Sequence, residues 1–346
     1  MENIRNLKQN EIPKLLYLDQ NQWVELEKVE YQQREDEATE EILSMLRLLV
    51  SSNKLIIPID INRLIETSHR SLSFTRERLS KLMIELSKEY AVLAFVYVEE
   101  LEIRNYINRK RGLNEVNLKE VLINQNVENL LAGTPEIVGN KSSDDIQKIN
   151  KEINRIISTT NFKKYVISTS ASRNSAQEQE FVQNAENARA ILKTMNTDKQ
   201  RKDYLISVDF QVLIRKIMET YKLTDDYEGK ISDFEKLYNL LLIRTSLPLP
   251  LHSIKEKVSF MQEFPLNYTH RTLVSFRDRN LDRPIQSNDL IDIMQYVVPL
   301  VYFHYIVGER YFMTLANQAK LNLLYNTTLY RKLSELKPYL ELLENE

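Results

Sequence analysis

Apolar positions fall into short unbroken runs toward both ends of the chain and into long helical stripes between them. Leu15, Leu16, Tyr17 and Leu18 form a run that stops at Asp19, and a polar, helix-compatible segment follows. A short apolar run bounded by polar residues is the pattern of a buried strand. Residues 37–52 then carry Ile42, Met45, Leu46 and Leu49 at helical spacing. Residues 55–59 predict a second buried strand, after which Asp60 can cap a helix that carries Leu64 and Ile65. A further helix over residues 74–90 places Leu79, Leu82, Met83 and Leu86 on one face, and residues 91–96 predict a third strand. Strands alternating with amphipathic helices imply a parallel α/β sheet.

From about residue 99 the strand signals fade. Helical patterns occupy residues 144–159, 176–194, 204–221 and 233–245, separated by turn-like breaks at residues 132–135, 168–175 and 248–250. Alternation returns late, with a helix at 289–298, a strand at 301–307, a helix at 311–318, a strand at 321–325 and a closing helix at 329–343. The expected organisation is an α/β core built from both chain ends, residues 11–104 and 264–346. An almost wholly helical insertion, residues 105–263, lies between them.

Composition narrows the chemistry. The absence of cysteine excludes disulfides, thiolate metal sites and a cysteine nucleophile. Only five glycines occur, and none of their spacings builds a nucleotide-binding loop of the GxGxxG or Walker type. The four histidines are scattered, with no close ligand pair. A net charge of −2 leaves no global basic field, so any nucleic-acid surface would have to be a local patch. The first ten residues do not resemble a signal peptide, and no apolar run is long enough to span a membrane. The expected address is the cytoplasm.

Several acids stand at element boundaries. Asp19 follows the first strand, Glu66 lies on the helix after the second, and Glu309 follows the late strand after Gly308. Asp289 and Asp292 lie three residues apart on the first turn of a helix, hence on one side of it. In a parallel sheet such positions converge beyond the C-terminal strand ends. Packed carboxylates repel unless a cation neutralises them, and an all-oxygen set suits Mg²⁺ or Mn²⁺. Each acid also has a plain structural reading: Asp19 as a helix cap, Glu66 as a solvated helix residue, and Asp289 and Asp292 as first-turn acids favoured by the helix dipole.

Taken in order, these residues resemble the PIN-like nucleases. The first-strand pattern LDxNxW is matched by Leu18, Asp19, Gln20, Asn21, Gln22 and Trp23, and the second-strand helix supplies Glu66. A pattern NDLxDI is matched by Asn288, Asp289, Leu290, Ile291, Asp292 and Ile293. The late-strand segment runs through Tyr302, Phe303 and His304 to Glu309, with His304 where such sequences often carry an acid and Glu309 where they carry Asp. The resemblance spans residues 15–105 and 264–325. It implies a short central parallel sheet flanked by helices, with the helical insertion added.

The activity implied is Mg²⁺- or Mn²⁺-dependent hydrolysis of phosphodiester bonds in RNA. Asp19, Glu66, Asp289 and Glu309 would be catalytic, gathered within about 10 Å by the needs of a two-ion site, with Asp292 as a further metal ligand. A toxin or defence role in a prokaryote, with a neutralising or regulatory protein partner and possible oligomer formation, is implied in the same way. The alternative is a catalytically degenerate PIN-like module that binds nucleic acid or a protein without cleavage, which the residues at 304 and 309 favour.

Arg271, Arg277, Arg279 and Arg283 lie upstream of Asp289, and residues 108–111 form a second basic cluster. Asn21, Arg277, Arg279, Arg283 and Arg310 are the candidate nucleic-acid contacts. The competing reading of the basic clusters is intramolecular ion pairing or a solvated helix face. Trp23 reads as a core anchor or as a stacking platform for a base. If the acids repel one another in metal-free buffer, Asp19→Asn is expected to melt above the parent.

Overall fold

The computed structural model describes residues 13–70, 72–125, 162–168, 175–220 and 253–345. The predicted helices at 144–159 and 233–245 lie outside these residues. Six strands are described: β1 (Lys14–Leu18), β2 (Leu55–Ile56), β3 (Ala91–Val92), β4 (Ile123–Asn124), β5 (Tyr305–Val307) and β6 (Thr328–Tyr330). The early helices are α1 (Gln20–Glu30), α2 (Glu37–Ser51), α3 (Ile61–Ser68), α4 (Ser73–Ser87) and α5 (Phe95–Lys110). The middle ones are α6 (Leu118–Leu122), α7 (Phe162–Ser168), α8 (Ser175–Lys193), α9 (Asp198–Thr220), α10 (Ile254–Met261) and α11 (Pro265–Arg279). Helices α12 (Asp289–Tyr302), α13 (Arg310–Gln318), α14 (Leu321–Tyr325) and α15 (Lys337–Asn345) complete the set.

The chain divides into two compact units. The first holds every described strand and comprises Glu2–Tyr97, Lys119–Arg173 and Val298–Glu346. Its four-stranded sheet has the order β2-β1-β5-β6, and every neighbouring pair is parallel. β3 and β4 form a separate antiparallel pair. The central strand β1 is apolar from Leu15 to Leu18, as is usual for a parallel strand covered on both faces. Leu16 and Leu18 join Trp23 and Leu26 of α1, Ile42, Leu46 and Leu49 of α2, and Leu79, Leu82 and Met83 of α4 in one core. Tyr17 points the other way, where its ring meets Phe303 edge-on at 6.1 Å.

The second unit comprises Val98–Leu118 and Asn174–Val297, and its described elements are all helical. Ile103, Tyr106 and Ile107 of α5 pack with Phe210, Leu213 and Ile217 of α9 and with Phe260 and Phe264 around α10. The aromatic centroids lie 4.7 Å apart for Tyr106 and Phe264, and 5.8 Å apart for Phe210 and Phe260. Residues 264–297, expected in the α/β core, fall in this helical unit.

Several predicted strands are shorter than expected or are replaced by helix. Residues 321–325 form helix α14, flanked by left-handed Lys320 (φ 58°) and Asn326 (φ 54°), and the last strand is β6 instead. β6 also takes the first residues expected in the closing helix, which begins only at Lys337. Helix α12 runs through Pro299 to Tyr302, so β5 starts four residues later than the expected strand at 301. The second strand stops before Pro58, which lacks the N–H a central ladder needs. Ile59 then makes an isolated parallel bridge to Ala91. The third strand ends at Val92, and α5 begins at Phe95.

Candidate active site

Asp19 serves both the sheet and the helix that follows. Its backbone N–H donates to Val307 O at 3.0 Å, adding a last rung between β1 and β5. The residue is extended (φ −69°, ψ 161°) and caps α1, its Oδ1 accepting from Gln20 N–H at 2.7 Å. The capping role foreseen for Asp19 is therefore present, and it leaves the carboxylate buried at the C-terminal edge of the sheet. Because Leu18 pairs with Val307, Glu309 lies at the same edge, two residues beyond β5. It is exposed and occupies the N-cap position of α13 without a side-chain capping bond.

Arg63 dominates the centre. Its side chain is fully buried, and its Nη1 donates to Asp19 Oδ1 at 2.7 Å. The same nitrogen lies 3.2 Å from Glu66 Oε2, and Nη2 reaches Glu66 Oε1 at 3.3 Å. Asp60 caps α3 by accepting from the Arg63 backbone N–H at 2.9 Å, and it lies 4.0 Å from Arg63 Nε. The Tyr17 ring centroid is 5.8 Å from the guanidinium carbon. Positions 60, 63 and 66 share one helix face through their i, i+3 spacing. Two further bonds fix α3 beside α1: Gln20 Nε2 to Thr67 Oγ1 at 3.0 Å, and Arg70 Nη2 to the buried Glu27 Oε2 at 3.3 Å.

Electrostatics follow from this packing. Burial disfavours the Arg63 charge, but Tyr17, Glu66, Asp19 and Asp60 more than offset it and hold its pKa well above the ordinary value. The Glu66 carboxyl is pushed up, first by burial and then by the nearby Asp19 and Asp60, although Arg63 pulls the other way. One guanidinium thus faces three carboxylates. The acceptor set is all oxygen, and the guanidinium lies between Asp19 and Glu66. Among the described residues, no group of three or more acidic or histidine side chains is arranged to hold a metal.

The remaining candidates have other partners. Asp289 belongs to the helical unit, is fully buried, and forms a two-pronged ion pair with Arg283 at 2.7 and 2.8 Å. It also accepts from Gln286 N–H at 3.1 Å, so it closes the loop ahead of α12. Asp292, half-buried, lies in the first turn of the same helix. Arg277 is buried and paired with Asp278 at 2.7 Å, and Arg279 pairs with Asp198 at 2.8 Å. Intramolecular ion pairing therefore accounts for Arg277, Arg279 and Arg283, whereas Asn21 and Arg310 are exposed. His304 stands at the opposite end of β5 from Glu309. Its Nδ1 accepts from Leu15 N–H at 3.0 Å, and its own N–H donates to Leu15 O at 3.1 Å, so it pins β5 to β1. Trp23 is buried in the core, which rules out a base-stacking role.

Sequence reasoning missed Arg63 as a member of the site. The signal available was the Asp60–Arg63–Glu66 spacing on a single helix. It also missed Arg189, a buried guanidinium that donates to the carbonyls of Arg277 and Asn280 at 3.0 Å each and to that of Arg283. No family model, curated protein or solved structure matches the chain. Among the described residues, no helix is long and apolar enough to cross a membrane.

Proposed function

We propose that this chain is a PIN-like nuclease that hydrolyses phosphodiester bonds, with RNA as substrate, and that Asp19 is the centre of its working site. The observation that carries this reading is the convergence of Asp19, Asp60 and Glu66 on one cation at the C-terminal edge of a parallel sheet, where such folds place ligands. Asp19 and Glu66 supply carboxylate oxygens at this edge, the ligand type that a hard divalent ion takes. Asp19 and Glu66 would hold Mg²⁺ or Mn²⁺, which supplies Lewis-acid polarisation and a more acidic water. Glu309, exposed at the same edge, would orient water or substrate. In the reaction a water oxygen bonds to phosphorus, the P–O bond to the departing sugar oxygen breaks, and that oxygen takes up a proton. The PIN-like resemblance adds a toxin or defence role.

A second reading is favoured by the complete burial of Arg63: a degenerate PIN-like module in which the guanidinium permanently replaces the metal and no cleavage occurs. One assay separates the two. Mixed RNA and single-stranded DNA are incubated with Mg²⁺ or Mn²⁺ and either the parent protein or Asp19→Asn. The nuclease reading expects RNA cleavage by the parent and at least a hundredfold loss, by order of magnitude, in the variant. Equal cleavage by both places the activity elsewhere, and no cleavage by the parent selects the degenerate module.

A further inference from the structure

We propose that Phe74 and Arg78 of α4 form a docking point for single-stranded nucleic acid: the Phe74 ring takes an unpaired base and the Arg78 guanidinium takes the adjoining phosphate. The inference adds a binding surface to the reading made above and rests on that reading only for the choice of RNA as the first probe. The Arg78 guanidinium carbon lies over two rings, 4.7 Å from the Tyr31 centroid and 5.4 Å from that of Phe74. Tyr31 is the C-cap of α1. Positions 74 and 78 are one helical turn apart, so α4 itself sets the second contact. Leu79, Leu82 and Met83 belong to the core, whereas Phe74 is left 51% exposed, with Leu72 52% exposed close by in the chain.

A half-exposed phenylalanine by itself is ordinary. Two features set this one apart. The first is charge. In a chain of net charge −2, residues 70–81 carry four cations, Arg70, Arg76, Arg78 and Lys81, against the single acid Glu77. Arg70 pairs with Glu27 at 3.3 Å and Lys81 with Glu77 at 2.8 Å. Among the described residues, no carboxylate lies within ion-pair distance of Arg76 or Arg78. This is a local basic patch of the kind that a nucleic-acid surface on a near-neutral chain requires. The second feature is orientation. Stacking uses the flat face of a guanidinium and leaves its in-plane N–H groups to bond elsewhere. Among the described residues, those of Arg78 meet no acceptor. A guanidinium held by two rings with its donors open suits a phosphate oxygen, and an open aromatic ring beside it suits a base. The same compact unit holds Asp19 and Glu66, and only residues 69–72 separate α3, which carries Glu66, from α4. Packing alone would give the same contacts but would leave nucleic-acid affinity unchanged when they are removed.

Binding is measured in EDTA, which stops metal-dependent cleavage and makes the result independent of whether the chain is a nuclease. The probes are labelled oligouridylate and oligothymidylate of about ten nucleotides, titrated by fluorescence anisotropy across a salt series. The parent is expected to bind oligouridylate, and Phe74→Ala and Phe74→Leu to bind it at least about tenfold more weakly. Phe74→Trp is expected to keep parent affinity, with its added indole quenched on binding; Trp23, the only native tryptophan, is buried. Arg78→Gln is expected to flatten the slope of log affinity against log salt by about 0.7, the value for one phosphate on a single strand. Parent-like affinity in Phe74→Leu overturns base stacking and makes this face an apolar protein contact instead. Unquenched indole in Phe74→Trp at saturation overturns it without relying on a weakened variant. A parent-like salt slope in Arg78→Gln overturns the phosphate contact. Parent binding of oligothymidylate alone supports the docking point and removes RNA from the reading above. No binding of either probe by the parent overturns the inference, even where RNA is cleaved once metal is supplied. Binding without such cleavage supports it and overturns the nuclease.

Discussion

Replacing Asp19 by asparagine tests the centre through stability, without any reaction. Repulsion among acids, considered by itself, predicts that the variant melts above the parent in metal-free buffer. The ion pair reverses that sign. Asp19 Oδ1 accepts from Gln20 N–H and from Arg63 Nη1, each at 2.7 Å. An amide oxygen can keep the capping bond, but the buried guanidinium loses an ionised partner. A hydrogen bond to a charged group contributes about 1.5–3 kcal/mol, against about 0.5–1.5 kcal/mol for a neutral one. Stripping a buried charge of its partner costs roughly 3–5 kcal/mol. Arg63 retains Glu66 at 3.2 and 3.3 Å, and the Asp19–Glu66 repulsion is relieved. The expected cost is therefore near the lower figures, about 1–2 kcal/mol. Equilibrium urea denaturation in EDTA measures it directly. In saturating Mn²⁺ the gap should widen by about 2.7 kcal/mol when the ion stands at a hundred times its dissociation constant for the parent. A variant as stable as the parent in EDTA, or more so, would refute the claim that Arg63 balances the centre.

Two further predictions concern the helical unit. Arg189→Met keeps the buried chain length but leaves the carbonyls of Arg277, Asn280 and Arg283 without their donor. It should cost about 3–5 kcal/mol, with faster hydrogen exchange in the last turn of α11, and a loss below 1 kcal/mol by urea titration would show that water replaces the guanidinium freely. His270 is pulled down from 6.5 to about 3 by burial and then by Arg271, Lys216 and Arg277, whereas Asp209 is pushed up from 3.8 to about 7 by burial, with Arg271 opposing. Neutral buried His270 makes stability fall as pH drops from 6.5 to about 3, and protonated Asp209 makes it fall as pH rises from about 4 to 7, each by about 1.4 kcal/mol per pH unit. The two slopes oppose one another between about pH 4 and 6.5. Asp209→Asn should make stability rise with pH across that window and His270→Gln should make it fall. Urea midpoints with the same pH slope in parent and variants would contradict both assignments.

Much of the sheet edge is legible in the chain because its determinants are local. Four apolar residues, an acid and a helix-compatible segment are enough to read β1, the turn at Asp19 and the start of α1. Helical spacing likewise marks α2, α4, α8 and α9 to within a few residues, apart from an early turn of α9. Where apolar residues run without a break, as from Tyr296 to Val301, periodicity does not separate a buried helix from a strand. For the same reason the pattern does not distinguish the end of α12, or the short helix α14, from a strand. The centre itself is a tertiary product. The i, i+3 spacing places Asp60, Arg63 and Glu66 on one face of α3, but only the parallel pairing of β1 with β2 brings that face to Asp19, 44 residues before Arg63. Sequence therefore determines which side chains are acids at element ends, since that depends on neighbours along the chain. Whether such an acid meets a guanidinium is decided by packing between distant segments, because burial leaves each carboxylate with the partner that the fold delivers.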